Sequence, residues 1–196
     1  MTELLKNVEG YHLKQGIQKL HSRQLYSSWG DLDFILRYFP NHPHGLMAMG
    51  DLCEVWRTPQ CNMRLYLDNA IRLSPENPSI YLTQGVYLQR RGKLNEAIES
   101  YKKSLELDPS SANTHYNIGL AYVANKQYQL ANEHAQKAYS MGMPFPALKT
   151  KLVAAGAWKV IEQPPVVAES ATNENAEGAK VPEAANAPAN TEDGVK

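Results

Sequence analysis

Two cysteines, Cys53 and Cys61, and two histidines, His42 and His44 in PNHPHG, are the first residues whose types and spacing could do chemistry. The cysteines flank a predicted loop around Arg57 to Gln60. A helical hairpin closed there would bring them within reach of a disulfide, so the pair is a candidate bridge. Two small buried apolar residues would fit the same pattern. A metal centre needs three or four convergent ligands. The histidines, with Cys53 on the next helix, have no second His/Cys cluster to complete such a set, and no metal is expected. Asp31 and Asp33 stand on one helix, while Glu76, Glu96, Glu99 and Glu106 are scattered. They form no carboxylate pair that burial would retune into an acid and a base. G-x-S-x-G, HExxH, P-loop and C-x-x-C patterns are missing from the sequence. The chain reads as no enzyme, with no cofactor.

The densest basic clusters are Arg90-Arg91-Lys93 and Lys102-Lys103, and acids such as Glu96 and Glu99 stand among them. Over all 196 residues, 20 Lys and Arg balance 20 Asp and Glu, giving a formal net charge of 0. That balance gives no support for electrostatic binding to nucleic acid or to an anionic membrane. The neutrality hides a division: residues 163–196 carry six acids and two bases, −4, and residues 1–162 carry +4. The acidic stretch is built from Ala, Asn, Glu and Pro, with no aromatic residue. It buries too little apolar surface to offset chain entropy, so 160–196 is expected to be a disordered tail. No run approaches the ~18 apolar residues of a membrane-spanning helix. The first residues, MTELLKNVEGYHLKQG, lack a signal-type apolar core. As written, the chain is expected in the cytoplasm, or in the periplasm if a leader was removed.

The elements that carry these residues announce themselves by repetition. Gly16, Gly50, Gly85 and Gly119 are spaced by 34, 35 and 34 residues, and Pro40, Pro75, Pro109 and Pro144 by 35, 34 and 35. Between these markers the pattern is helical, with residues recurring at three-and-four spacing. Examples are Tyr81, Gln84, Gly85 and Leu88, then Leu94, Ala97, Ile98, Tyr101, Ser104 and Leu105. Arg91-Gly92-Lys93 breaks the two runs. Each repeat is therefore predicted to be a helix, a tight turn and an antiparallel second helix ended near the proline. Asn77-Pro78 and Ser111-Ala112 supply caps for first helices. Thr58-Pro59 looks like the cap of a second helix behind a loop one residue longer. Close helix crossings need small residues. The glycines of the first helices, with Ser28, Ala97 and Ala131 on second helices, are expected to supply them, while Tyr101 and Leu67 fill the space beyond.

These residues resemble the tetratricopeptide repeat, W-x2-L-G-x2-Y…A-x3-F…A…P. In the best match, residues 78–111, Tyr81, Gly85, Leu88, Ala97, Tyr101, Ser104 and Pro109 take the family's positions. Residues 112–145 follow with Ile118, Gly119, Tyr122, Ala131, Ala138 and Pro144. Residues 9–41 and 42–76 depart further, with Lys19, Ser28, Cys53 and Met63 at family positions. The resemblance as a whole points to bacterial members. It implies an all-α, right-handed α-solenoid of four hairpins over about 9–145. Residues 146–159 form a capping helix with Leu148, Leu152, Val153 and Ala155 on one side, closing domain 1–159.

The resemblance also implies that first helices line a concave groove for a partner peptide or helix. Onto that groove it places Leu13 and Ile17; Met47, Asp51 and Glu54; Leu82, Thr83, Val86, Gln89 and Arg90; and Asn113, Tyr116, Asn117, Leu120 and Val123. Family members that grip chaperone carboxylates use basic residues here. Leu13, Ile17, Asn113 and Asn117 stand in their place, so that ligand is disfavoured. The expected function is a non-catalytic protein-interaction adaptor or scaffold with a protein or peptide partner. A self-associating assembly subunit using Trp29, Phe34, Tyr38 and Phe39 is the alternative, and an RNA-binding helical repeat a third. The sequence leaves monomer and homo-oligomer open.

Overall fold

The computed structural model describes residues 3–160, and the predicted tail beyond Val160 lies outside them. The described chain is an α-solenoid. An opening helical run comprises α1 (Glu3–Val8), a π-helical turn (Glu9–Leu13) and α2 (Lys14–His21). It pairs with α3 (Leu25–Tyr38). Next come α4 (Pro43–Val55) and α5 (Met63–Leu73), then α6 (Pro78–Arg90) and α7 (Leu94–Leu107). The last hairpin is α8 (Ala112–Ala124) with α9 (Tyr128–Ser140), followed by α10 (Ala147–Ala154). The first helices α2, α4, α6 and α8 approach one another in sequence, which sets them along one inner layer.

Local chemistry fixes the helix starts. The Asn77 carboxamide accepts from Ser79 N–H at 3.0 Å with Pro78 behind it, and Ser111 Oγ accepts from Thr114 N–H at 3.3 Å. Both satisfy amides that a first turn leaves unpaired. Three hairpins turn alike. Arg23, Gly92 and Lys126 are left-handed, with φ of 61°, 73° and 59°. The next amide reaches back to close the turn: Gln24 to Lys19, Lys93 to Leu88 and Gln127 to Tyr122, at 2.9–3.0 Å.

The second hairpin differs. Thr58-Pro59 does not start a helix; Cys61 N–H donates to Thr58 C=O at 3.0 Å, making a turn, and α5 starts only at Met63. In the other hairpins a small residue, Ser28, Ala97 or Ala131, sits fully buried at the crossing. Here Met63 takes that place and holds α5 away from α4. The glycines register the difference. A Cβ on Gly16 would come to 2.9 Å from Leu32 Cδ2, on Gly85 to 2.6 Å from Tyr101 Cδ1, and on Gly119 to 2.6 Å from Leu148 Cδ2. On Gly50 it would find nothing nearer than Met63 Cε at 3.9 Å. The expectation that every first-helix glycine marks a tight crossing therefore fails at Gly50.

The fourth hairpin solves its own problem. Ala135 stands at the repeat position of Tyr101, too small to cover Gly119. Leu148 from α10 covers it instead and is wholly buried with Leu152. The cap is shorter than predicted because Gly156, with φ 65°, ends it. Val153 and Ala155 are exposed, not on the packed side with Leu148 and Leu152. Beyond the turn, Trp158 packs edge-on to Tyr139, with ring centroids 5.9 Å apart. Asn132 holds Lys159 by both backbone groups, accepting its N–H at 3.1 Å and donating to its C=O at 2.8 Å.

Candidate functional site

Four equivalent registers bring apolar side chains to the inner layer. One row is Leu13, Met47, Leu82 and Tyr116; beside it run Ile17, Asp51, Val86 and Leu120. Met47 is 40% exposed, and the other apolar members keep part of their surface open. Their inner sides rest on the cores: Leu13 and Ile17 on the first, Leu82, Val86, Tyr116, Leu120 and Val123 on the second. Phe145, 57% exposed, stands beside Tyr116 with ring centroids 6.1 Å apart. The arrangement offers an apolar track on a rigid backing, suited to side chains of a docked segment.

The polar groove residues are more engaged than their positions suggest. Asp51 pairs with Arg90 across α4 and α6. Glu54 pairs with the neighbouring Arg91 at 2.9 Å. Gln89 accepts from the buried Tyr101 hydroxyl at 2.7 Å. Asn117 donates to Asn113 C=O at 2.8 Å. Thr83 is 5% exposed and donates to Ser79 C=O at 2.8 Å, which takes it off the groove surface. Its register position turns it toward the helix crossing. Asn113 stays exposed on α8. Arg91 was missed as a groove charge; opposite charges at the ends of successive first helices are the signal that finds it.

His42, Asp31 and Asp33 have structural partners. The His42 ring accepts Gly45 N–H at 3.0 Å, capping α4, and its other nitrogen meets Glu9 Oε1 at 2.8 Å. Asp31 is held by Lys19 at 2.6 Å and His12 at 3.0 Å, Asp33 by Tyr66 and Arg37 at 2.7 Å each. Among the described residues, no group of three His, Cys, Asp or Glu is arranged to hold a metal. Each residue of the basic clusters faces an acid, including Lys93–Glu96, Lys102–Glu99 and Lys103–Glu106. Cys53 and Cys61 are joined, with Cα atoms 5.1 Å apart. No helix among the described residues is long and apolar enough to cross a membrane.

Behind the groove, His115 of α8 meets His134 of α9, Nδ1 to Nδ1 at 2.8 Å, while His115 Nε2–H donates to Pro109 C=O at 3.1 Å. That carbonyl fixes the tautomer, so His115 Nδ1 accepts and His134 Nδ1–H donates. Burial lowers both from 6.5, and His134, with His115 and Lys137 adding to the effect, falls to about 4. The unfolded chain then binds more protons in acid. The pair's contribution to stability is complete above about pH 6.5 and is lost as pH falls toward about 4. Urea midpoints should therefore drop between pH 7 and pH 5, and drop less in His134→Gln. Equal slopes in the two proteins would contradict this.

The comparisons agree with the fold. Residues 88–126 match the family described as TPR repeat. The TPR repeat-containing thioredoxin TTL4 of Arabidopsis thaliana is 33% identical over 67 residues, 34% of this chain and 10% of that protein. The mouse protein O-mannosyl-transferase TMTC3 is 27% identical over 94 residues, 48% of this chain and 10% of its own length. The chain thus spans about a tenth of these curated relatives. Among solved structures, Pseudomonas aeruginosa PilF aligns with a TM-score of 0.60 at 15% identity, over 77% of this chain and 70% of PilF. MamA of Desulfovibrio magneticus aligns at 0.51 and 20% identity, over 66% of this chain and 73% of the other.

Proposed function

We propose that this tetratricopeptide-repeat protein is a non-catalytic adaptor that holds a helical or extended segment of a partner protein across its inner face. The observation that carries the reading is the apolar track from Leu13 to Leu120 on first helices, bordered by charges already neutralised in pairs. A preformed track lowers the ordering cost of capture. A lining whose charges are already paired favours a segment that presents aliphatic or aromatic side chains. The Cys53–Cys61 bond supports an oxidising compartment over the cytoplasm.

The test compares co-purification by the intact chain and by a Leu82→Ala, Tyr116→Ala, Asn117→Ala variant that stays helical by circular dichroism. The adaptor reading expects a native partner whose recovery falls roughly tenfold or more in the variant. Equal recovery would move the interface off the groove.

One observation keeps self-association as a second reading. Tyr11, Phe34 and Tyr38 leave exposed aromatic surface on the first hairpin, while Trp29 and Phe39 pack against the core. A mass that rises with concentration in light scattering, and stays monomeric in Phe34→Ser, Tyr38→Ser, would favour it.

A further inference from the structure

We propose that the Cys53–Cys61 disulfide is a redox clasp on the groove. Oxidised, it holds the last turn of α4, so that Asp51 and Glu54 stay opposite Arg90 and Arg91. Reduced to two thiols, it releases that turn. Three features of the second hairpin lead here.

The first is the missing turn lock. In the other three hairpins, an amide beyond the left-handed residue reaches back into the first helix. After α4, Trp56 N–H donates to Leu52 C=O at 2.7 Å, but the loop that follows bonds only within itself, Thr58 to Trp56 and Cys61 to Thr58. The covalent bond stands where the backbone lock stands elsewhere. The second is loose packing. With Met63 at the crossing and only ordinary contact at Gly50, 3.9 Å to Met63 Cε, α5 packs less closely on α4 than its counterparts do. The third is position. Cys53 lies between Asp51 and Glu54, on the turn whose two carboxylates meet Arg90 of α6 and Arg91 just past its end.

Reduction takes two electrons and two protons from a dithiol. A thiolate of the dithiol attacks Cys61, the more exposed sulfur carrier at 8% against 1% for Cys53, and Cys53 leaves as thiolate and is protonated. The second thiol of the reductant then attacks the mixed disulfide. It closes the reductant's own disulfide and leaves Cys61 as a thiol. Once the α4 turn opens, Arg90 and Arg91 lose their carboxylate partners, Arg91 keeping the Tyr87 hydroxyl at 3.2 Å, and the paired border of the groove separates into free charges. The consequence for capture rests on the groove reading above.

The test is hydrogen exchange on the full chain with no partner present, oxidised and after dithiothreitol, so it stands or falls apart from that reading. Amides from Leu52 to Trp56 should exchange roughly tenfold faster after reduction, and those from Ile118 to Tyr122 at an unchanged rate. Cys53→Ser, Cys61→Ser without reductant should reproduce the pattern; if that variant fails to fold, the reduced wild type decides. Equal exchange in both redox states would overturn the clasp. So would uniform acceleration of both segments, which would make the bond a general staple. Two free thiols counted in air-oxidised protein would remove its premise.

Discussion

Gly85→Ala is expected to destabilise the chain by about 3 kcal/mol, near the upper end of ordinary overpacking costs. The added carbon would stand 2.6 Å from Tyr101 Cδ1. Tyr101 cannot step aside, because its ring is fully buried and its hydroxyl is tied to Gln89 at 2.7 Å. Gly50→Ala, at the same repeat position, should do the opposite. Its nearest new neighbour is 3.9 Å away, so the gain in helix propensity is kept, roughly 0.5–1 kcal/mol of stabilisation. Urea midpoints measured at constant m-value separate the two. Equal losses at both positions would mean that the second hairpin is packed like the third.

Leu148→Ala is the second large effect, expected to cost about 3 kcal/mol through the cavity left over Gly119. Its signature is non-additivity. Gly119→Ala alone clashes with Leu148 Cδ2 at 2.6 Å and should cost ~1–3 kcal/mol. In the Leu148→Ala background that clash is gone and the new methyl group occupies part of the cavity. The double variant should then be more stable than the sum of the singles by at least ~1 kcal/mol. Strict additivity would show that α10 does not seat on the Gly119 crossing.

Glycine and proline spacing made the hairpins legible because the crossing geometry repeats where the same small residues repeat. It failed at hairpin two, where the glycine stayed in phase while its partner changed from Ala or Ser to Met63. A register reports positions, and the packing depends on pairs. The same limit applies in the groove. The repeat numbering placed Asp51 and Arg90 correctly on first helices, yet they lie 39 residues apart and only the stacking joins them. Thr83 falls on the groove by repeat numbering, but its position on α6 faces the helix crossing, where it is buried. The His115–His134 contact left no signal in either residue's own neighbourhood, since each looks like an ordinary polar position on its helix. Leu148 was recognised as cap, but not as the stand-in for a large side chain that Ala135 lacks.

The central claim is that a partner lies across the inner face, and site-specific photocrosslinking tests it most directly. A photoreactive side chain at Met47 or Asn113, on first helices, is compared with one at Lys103 on the outer face of α7. The account predicts a covalent adduct with the same native partner from both inner positions and none from Lys103. An adduct from Lys103, with none from Met47 or Asn113, would contradict it.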